Sequence, residues 1–298
     1  MTTNDPTMMY STGRFSVTVP QSMKNAARTA SVRYRDIRET TWQAGAGSEV
    51  ARNAAWERRI AEIEMLQPPQ GKSKVIVETR TVDEIKPWCR AILYYGDKHD
   101  DETVYWDVLL DTGRGGLWIQ WSGLERSKEK MLGFSLDIAR AYKVIDPAAP
   151  PPKENSFYLE HGYIALPYLE QEETYARFEG HPLELKLEFT TRAVHEVSES
   201  GLVERLAASL AMNFAPGVDV DKLRTGKRSV AGLNGEEVIF RGTQDGKSEL
   251  SFTWLFTGKV DSGNAPKISI EMEAPDGRVE EKMRVWDIIL DSIKASGR

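Results

Sequence analysis

The sequence predicts an α+β fold made of two similar domains, each an antiparallel sheet with helices packed on one face. First, an order of two strands, a helix, four strands and a helix occurs twice. Second, matching positions in the two copies lie 149 to 152 residues apart in a chain of 298 residues. Third, residues 146–152 hold four prolines, which favour an extended spacer. We therefore predict an internal duplication, with an N-terminal domain at 1–146, a Pro-rich hinge at 147–153 and a C-terminal domain at 154–298.

The first copy starts with two strands in which apolar and polar residues alternate. A helix follows, with Ser48 as its predicted N-cap and Pro68 just beyond its end. Four more strands and a closing helix complete the copy. The predicted strands span 14–19, 31–37, 74–81, 88–95, 104–110 and 117–121, and the helices span 49–66 and about 127–144.

The second copy repeats this order of elements. Its predicted strands span 163–169, 183–193, 226–231, 237–241, 248–256 and 267–274, and its helices span about 200–214 and 279–293. The Asn-Gly pair at 234–235 lies between two alternating runs and predicts a hairpin turn, as does the Asp-Gly pair at 245–246. Trp106 and Trp254 occupy the same place in the two copies, which favours the duplication.

The composition narrows the class of protein. The net charge is −6, whereas proteins that mainly bind nucleic acid or anionic lipid are usually basic. Residues 1–150 are nearly neutral, with 21 Lys/Arg and 20 Asp/Glu, and residues 151–298 are acidic, with 18 and 25. One cysteine, Cys89, excludes an internal disulfide and a Cys-rich zinc site. The apolar runs are too short for a membrane span, and no secretory leader is recognisable. We expect neither a nucleic-acid partner nor membrane insertion.

No residue pattern in the sequence predicts catalysis. The segment that comes nearest to a nucleophile elbow, 133–137, lacks the second glycine and lies in a predicted helix. Cys89 lies at the start of a predicted strand, where a buried and unreactive thiol is expected. The histidines are not paired at metal-binding spacing; they are His99, His161, His181 and His195. We therefore expect no enzyme activity, no catalytic residue and no metal site.

The segment 41–49 resembles the beginning of a dinucleotide-binding fingerprint, because it follows a strand, carries two glycines and opens a helix. The third glycine is missing, since Val50 stands in its place. A flexible turn that leads into the Ser48 cap explains the same residues. We therefore expect no cofactor.

From residue 226 onward the sequence resembles the C-terminal domain of the type VI secretion lipase-effector immunity proteins. The segments that carry this resemblance are 227–238 (KRSVAGLNGEEV), 252–254 (FTW), Gly258, 266–272 (PKISIEM) and 286–292 (WDIILDS). The segment 13–20 (GRFSVTVP) is similar to the matching N-terminal domain.

This resemblance implies an antitoxin that is not an enzyme. Its two α+β domains would clasp a secreted phospholipase and block the active site of that enzyme, in the periplasm. The missing leader leaves the cytoplasm open as the compartment. Two alternatives remain at this stage. One is a secretion adaptor or chaperone that binds the same effector without inhibiting it, and the other is a small hydrolase with an atypical site.

Two predicted hairpin tips, 96–102 and 257–264, are the candidate partner-binding loops. Their candidate contact residues are Asp97, Asp100, Asp101, Glu102, Lys259, Asp261 and Asn264. The carboxylates of the first tip suit a basic patch on a partner, although a solvated loop would have the same composition, and their spacing is not that of a calcium loop. Aromatic residues on strands, among them Trp118 and Trp121, suit either a protein interface or internal packing.

Overall fold

The computed structural model describes residues 6–42, 47–145, 156–169, 171–196, 219–244 and 246–295. The strands are β1 (Thr7–Thr12), β2 (Phe15–Pro20), β3 (Lys24–Val32), β4 (Arg35–Thr41), β5 (Ile76–Thr81), β6 (Trp88–Tyr95), β7 (Thr103–Asp111), β8 (Gly115–Leu124), β9 (Tyr142–Val144), β10 (Phe157–Tyr158), β11 (Gly162–Ile164), β12 (Glu172–Glu179), β13 (Lys186–Arg192), β14 (Asp219–Val230), β15 (Leu233–Gln244), β16 (Lys247–Phe256), β17 (Lys267–Pro275) and β18 (Lys294–Ala295). The α-helices are α1 (Ser48–Glu64), α2 (Lys128–Ala141) and α3 (Val279–Ser292), and a 3₁₀ turn spans Glu125–Ser127.

The chain forms two compact units that differ from the predicted halves. One unit contains Met1–Ala30, Pro152–Glu160 and Pro167–Arg298, and the other contains Ser31–Pro151 and His161–Leu166. The first thirty residues therefore group with the C-terminal half rather than with the residues that follow them. The predicted hinge lies outside the described residues, as does the predicted helix at 200–214.

The main sheet of the unit that holds the C-terminal half has the strand order β14-β15-β16-β17-β13-β12-β3, and a small second sheet has the order β1-β2-β18. The four-strand run from β14 to β17 is antiparallel, and β17 also pairs with β13. Helix α3 places Trp286 against Phe252 of the sheet, with ring centroids 5.7 Å apart. Strand β2 is held to the same helix by a hydrogen bond of 2.9 Å from the Thr18 amide to the Ser292 hydroxyl. Burial of such large side chains contributes about 1.5–3 kcal/mol each.

In the second unit the strand order is β4-β8-β7-β6-β5. Trp56 of α1 stacks on Trp118 of β8, with ring centroids 6.3 Å apart. Helix α2 meets the opposite side of the sheet, because Phe134 contacts Trp121, which is three residues further along β8. The prediction of helices on one face is therefore wrong for this unit. The burial of strand β7 explains the difference. Its side chains are buried on both faces of the sheet, so other elements must pack against each face.

Most of the other predicted elements are present, with two differences caused by turns. Residues 31–37 do not form one strand, because Arg33 and Tyr34 both adopt positive φ and make a tight turn between β3 and β4. The predicted turn at 234–235 is also wrong. The chain turns at Ala231 and Gly232, again with positive φ, and Asn234 pairs with Ser229 inside the ladder.

Smaller corrections concern the ends of elements. Ser48 is the first helical residue, and Gly47 is the N-cap without a side-chain hydrogen bond. The predicted strand at 163–169 is limited to β11. Strands β1, β9, β10, β12 and β18 and most of β3 were not predicted. The predicted hairpin around 245–246 is confirmed by the pairing of Gln244 with Lys247.

Candidate partner-binding surfaces

The loop between β6 and β7 carries four of the predicted contact residues. Asp97 accepts a hydrogen bond of 2.8 Å from the His99 amide. Asp100 accepts bonds of 2.9 Å from the amides of Glu102 and Thr103. These hydrogen bonds, above all those from Thr103, hold the pKa of Asp100 below its usual value. Asp97 and Asp100 therefore fix the shape of the loop, much as turn aspartates do.

The other two carboxylates of this loop are available to a partner. Asp101 and Glu102 are exposed and line an open groove of about 200 Å³ together with Leu124, Glu125 and Arg126. Leu124 is an exposed apolar residue among the charged side chains that line this groove. We call residues 97–102 with 124–126 the acidic tip.

Glu125 ties the acidic tip to the body of its unit. Its carboxylate accepts hydrogen bonds of 2.9 Å from the Tyr95 hydroxyl and 3.2 Å from the Lys72 ammonium. The bond from Tyr95 is the main reason why the pKa of Glu125 lies below its usual value. Glu125 therefore stays charged near neutral pH and anchors the acidic tip to β6.

In the other unit, three loops meet at one end of the sheet: 167–169, 193–196 and 257–265. Gly263 of the third loop lies so close to Tyr168 of the first that an added Cβ would come within 2.5 Å of the Tyr168 Cβ. The Asp261 amide donates a hydrogen bond of 3.0 Å to the Val194 carbonyl, and the side chains of His195 and Asp261 approach to 3.4 Å. Gly258, at φ +89°, lies so close to Val194 that an added Cβ would clash at 2.6 Å. Backbone and side-chain contacts therefore hold these loops together, and we call them the three-loop end.

Two large apolar side chains project from the three-loop end. Leu169 is 61% exposed and Val260 is 49% exposed. Lys259, Asp261 and Asn264 are exposed beside them. An ordered loop cluster with exposed apolar residues in a polar rim has the make-up of a protein-binding surface.

The structure thus places the seven predicted contact residues on two surfaces, in different units. Asp97, Asp100, Asp101 and Glu102 share the acidic tip, and Lys259, Asp261 and Asn264 share the three-loop end. Their role in binding stays a prediction. Sequence reasoning missed the apolar residues Leu124, Leu169 and Val260. Single apolar residues inside polar loops were the available signal, as in KVDSGN at 259–264.

The described residues contain little that resembles a catalytic centre. Cys89 is buried, and burial raises the pKa of its thiol to about 12, so it stays protonated at neutral pH. His181 is buried, and its Nδ1 accepts a hydrogen bond of 3.1 Å from the Leu183 amide. Among the residues that the structure describes, no group of three His, Cys, Asp or Glu side chains could hold a metal ion. Across the same residues, each helix is too short or too polar to cross a bilayer.

Comparison with known proteins gives two kinds of similarity. Residues 150–296 match the family model described as "Tle cognate immunity protein 4 C-terminal domain". No curated protein matches the sequence significantly.

Solved structures share the fold over nearly the whole chain. The apo immunity protein TplEi of the type VI secretion system from Pseudomonas aeruginosa has a TM-score of 0.78 at 20% identity, covering 98% of this chain and 97% of that one. The Tle4–Tli4 complex gives the same TM-score and identity, covering 98% of each chain. TplEi bound to an "L" peptide gives 0.69 at 19% identity, covering 98% of this chain and 99% of that one.

Proposed function

We propose that the chain is a type VI immunity protein that binds a lipase effector, from the premise that residues 150–296 match the family model described as "Tle cognate immunity protein 4 C-terminal domain". The observation that carries the proposal is the family match, because it covers the segments in which the sequence resemblance is strongest. The shared fold supports the proposal, since one of the similar structures is described as a Tle4–Tli4 complex. We further propose that binding blocks the active site of the effector and that the chain acts without an enzyme activity of its own.

Two-surface binding would give this protein its affinity. Each unit presents an ordered, exposed surface, the acidic tip in one and the three-loop end in the other. When two surfaces bind the same partner, the second contact forms within the complex, and the overall affinity exceeds that of either alone. The opposite character of the surfaces, carboxylates on one and apolar side chains on the other, suits two different regions of one effector.

We also propose that the two α+β regions arose by duplication. The order β5-β6-β7-β8 followed by α2 in one unit is matched by β14-β15-β16-β17 followed by α3 in the other. The strand next to the fourth member is β4 in the first case and β13 in the second. Trp106 and Trp254, both fully buried, lie on the third strand of each run.

The periplasm is the proposed compartment, because a lipase that attacks membrane phospholipid from outside the cytoplasm must be met there. The expected result is that cells producing the effector in the periplasm survive only when this chain is also exported. Protection by a strictly cytoplasmic form would contradict this location. An adaptor that does not inhibit would change export of the effector without protecting the cells.

Charge reversal in the acidic tip is expected to slow association with the effector. Asp101→Lys with Glu102→Lys reverses the two exposed charges and leaves the loop-forming Asp97 and Asp100 in place. Loss of electrostatic steering should lower the association rate constant by about tenfold at low salt. Stopped-flow association at two ionic strengths measures this. Glu57→Lys with Glu64→Lys, at exposed positions of α1, changes the net charge by the same amount and is the matched control, and an equal change in both variants would show that the acidic tip is not involved.

An aspartate in place of an exposed apolar residue of the three-loop end is expected to speed dissociation. Leu169→Asp and Val260→Asp would each place a charge where a partner needs an apolar contact, which raises Kd by about tenfold or more. Surface plasmon resonance separates the dissociation rate from the association rate. Ile288→Asp changes a comparably exposed residue of α3 in the same unit and should leave binding unchanged. Dissociation at the wild-type rate from both loop variants would rule out this surface.

A further inference from the structure

The outward face of α2 contains a glycine that packing within the described part of the chain does not explain. Gly133 is the sixth residue of this 14-residue helix, it is exposed, and an added Cβ would meet no atom within 4 Å. A glycine inside a helix is less stable than alanine because its backbone loses more freedom on folding. Gly133 thus lowers the stability of the helix and relieves no clash with the described residues. Its presence suggests that the backbone of a partner approaches α2 closely at this position.

Next to this glycine lies an aromatic side chain that is exposed and held in place. Phe134 is 38% exposed, and its ring centroid lies 6.3 Å from that of Trp121. The buried guanidinium of Arg35 lies 3.6 Å from the Trp121 centroid and 5.1 Å from the Phe134 centroid. A ring fixed in this way loses little rotamer freedom when a partner covers it. Rigid aromatic residues beside arginine are typical of the residues that dominate protein interfaces.

The charge around Phe134 indicates the chemistry of the partner. The Lys130 ammonium is 5.6 Å from the Phe134 ring centroid. Two carboxylates of the same helix are already engaged, Glu129 with Arg80 at 2.8 Å and Asp137 with Arg140 at 3.0 Å. Within the described residues, no carboxylate lies within ion-pair distance of Lys130. The face therefore combines an apolar ring, an open space and a cation.

We propose that this face, which we call the α2 patch (Lys130, Gly133 and Phe134), is a third contact surface for the effector. It accepts a segment that carries an apolar side chain beside a carboxylate. The apolar side chain packs on Phe134, the segment backbone approaches α2 over Gly133, and the carboxylate pairs with Lys130. This assignment rests on the proposed function, because it takes the effector as the occupant.

A glutamine at the glycine position separates binding from folding. Gly133→Gln adds a side chain to the open space and favours the helix, so the melting temperature should stay the same or rise. The same change should weaken binding of the lipase encoded beside this chain by about tenfold or more, as expected at an interface centre. Ala61→Gln adds a similar side chain at an exposed position of α1 and should bind like the wild type. Phe134→Ala should also weaken binding; because it removes the ring that packs on Trp121, its melting temperature should fall, and its affinity is measured well below the melting transition.

Isothermal titration calorimetry with the full chain, together with thermal melts, gives distinct outcomes. Wild-type affinity in both Gly133→Gln and Phe134→Ala would overturn the α2 patch while leaving the proposed function intact. Absence of binding by the wild-type chain would overturn both. Sedimentation in the absence of effector tests a second copy as the occupant, and self-association that Gly133→Gln abolishes would also overturn the proposal.

Discussion

Replacing Glu172 with alanine is expected to lower the free energy of unfolding by about 3–5 kcal/mol. Its carboxylate accepts two parallel hydrogen bonds of 2.7 Å from the guanidinium of Arg14. Both side chains are only 8% exposed. The substitution removes two charge-assisted hydrogen bonds from a buried guanidinium, which costs far more than the loss of a surface ion pair. Urea denaturation at constant m-value measures the change.

The control for this pair lies at the adjacent residue. Glu173 contacts Arg192 at 3.6 Å, with side chains that are 39% and 60% exposed. Glu173→Ala should cost at most about 1 kcal/mol, because solvent screens exposed pairs. Equal losses in Glu172→Ala and Glu173→Ala would contradict the special role of the buried pair. A double variant that replaces Arg14 with methionine and Glu172 with leucine should recover part of the loss, because it removes both charges from the buried site.

Replacing Glu237 with alanine is expected to lower the free energy of unfolding by about 2–3 kcal/mol. This buried carboxylate accepts a hydrogen bond of 2.7 Å from the indole N–H of Trp286. It also contacts the guanidinium groups of Arg224 at 3.0 Å and Arg228 at 3.1 Å. The substitution would leave the indole N–H without its acceptor and would remove a carboxylate that both arginines share, although both keep their contacts with Asp287. The residues involved join β14 and β15 to α3, so we expect the whole unit to lose stability.

Asp291 provides the comparison for this network. It contacts Arg228 at 2.7 Å, but its side chain is 70% exposed. Asp291→Ala should therefore cost no more than about 1 kcal/mol. Chemical denaturation measures the loss of unfolding free energy in Glu237→Ala and in Asp291→Ala. The ratio of the two losses tests whether burial or the number of ion pairs decides the stability of this region. A larger loss for Asp291→Ala than for Glu237→Ala would contradict the account.

The fold was predictable where periodicity and turn chemistry agree, as in β6, β16, β17 and α3. It was not predictable where residues other than glycine adopt positive φ. The turn at Arg33 and Tyr34 carries no glycine or asparagine, so the sequence reads as a single strand there. The Asn-Gly pair at 234–235 has the residue types of a turn but does not form one. The chain turns at Ala231 and Gly232 instead, which places Asn234 in the ladder between β14 and β15.

The candidate surfaces were predictable only in part. Runs of charged and small residues correctly marked the loops at 96–102 and 257–264 as connections between strands. The apolar residue Leu169 was not predictable as part of the same surface as Val260, because only the folded backbone brings their loops together. The grouping of residues 1–30 with the C-terminal half could not be predicted from the sequence either, because it depends on long-range contacts such as that of Arg14 with Glu172.

The most direct test of the central claim is a titration of lipase activity. The type VI lipase encoded beside this chain is assayed on phospholipid vesicles while purified chain is added, and complex formation is followed on the same samples by size-exclusion chromatography. We predict that hydrolysis falls to the background in proportion to the complex formed and is abolished at saturation. A stable complex that leaves hydrolysis unchanged would identify an adaptor instead of an inhibitor. Absence of a complex at micromolar concentrations of both proteins would contradict the proposed function.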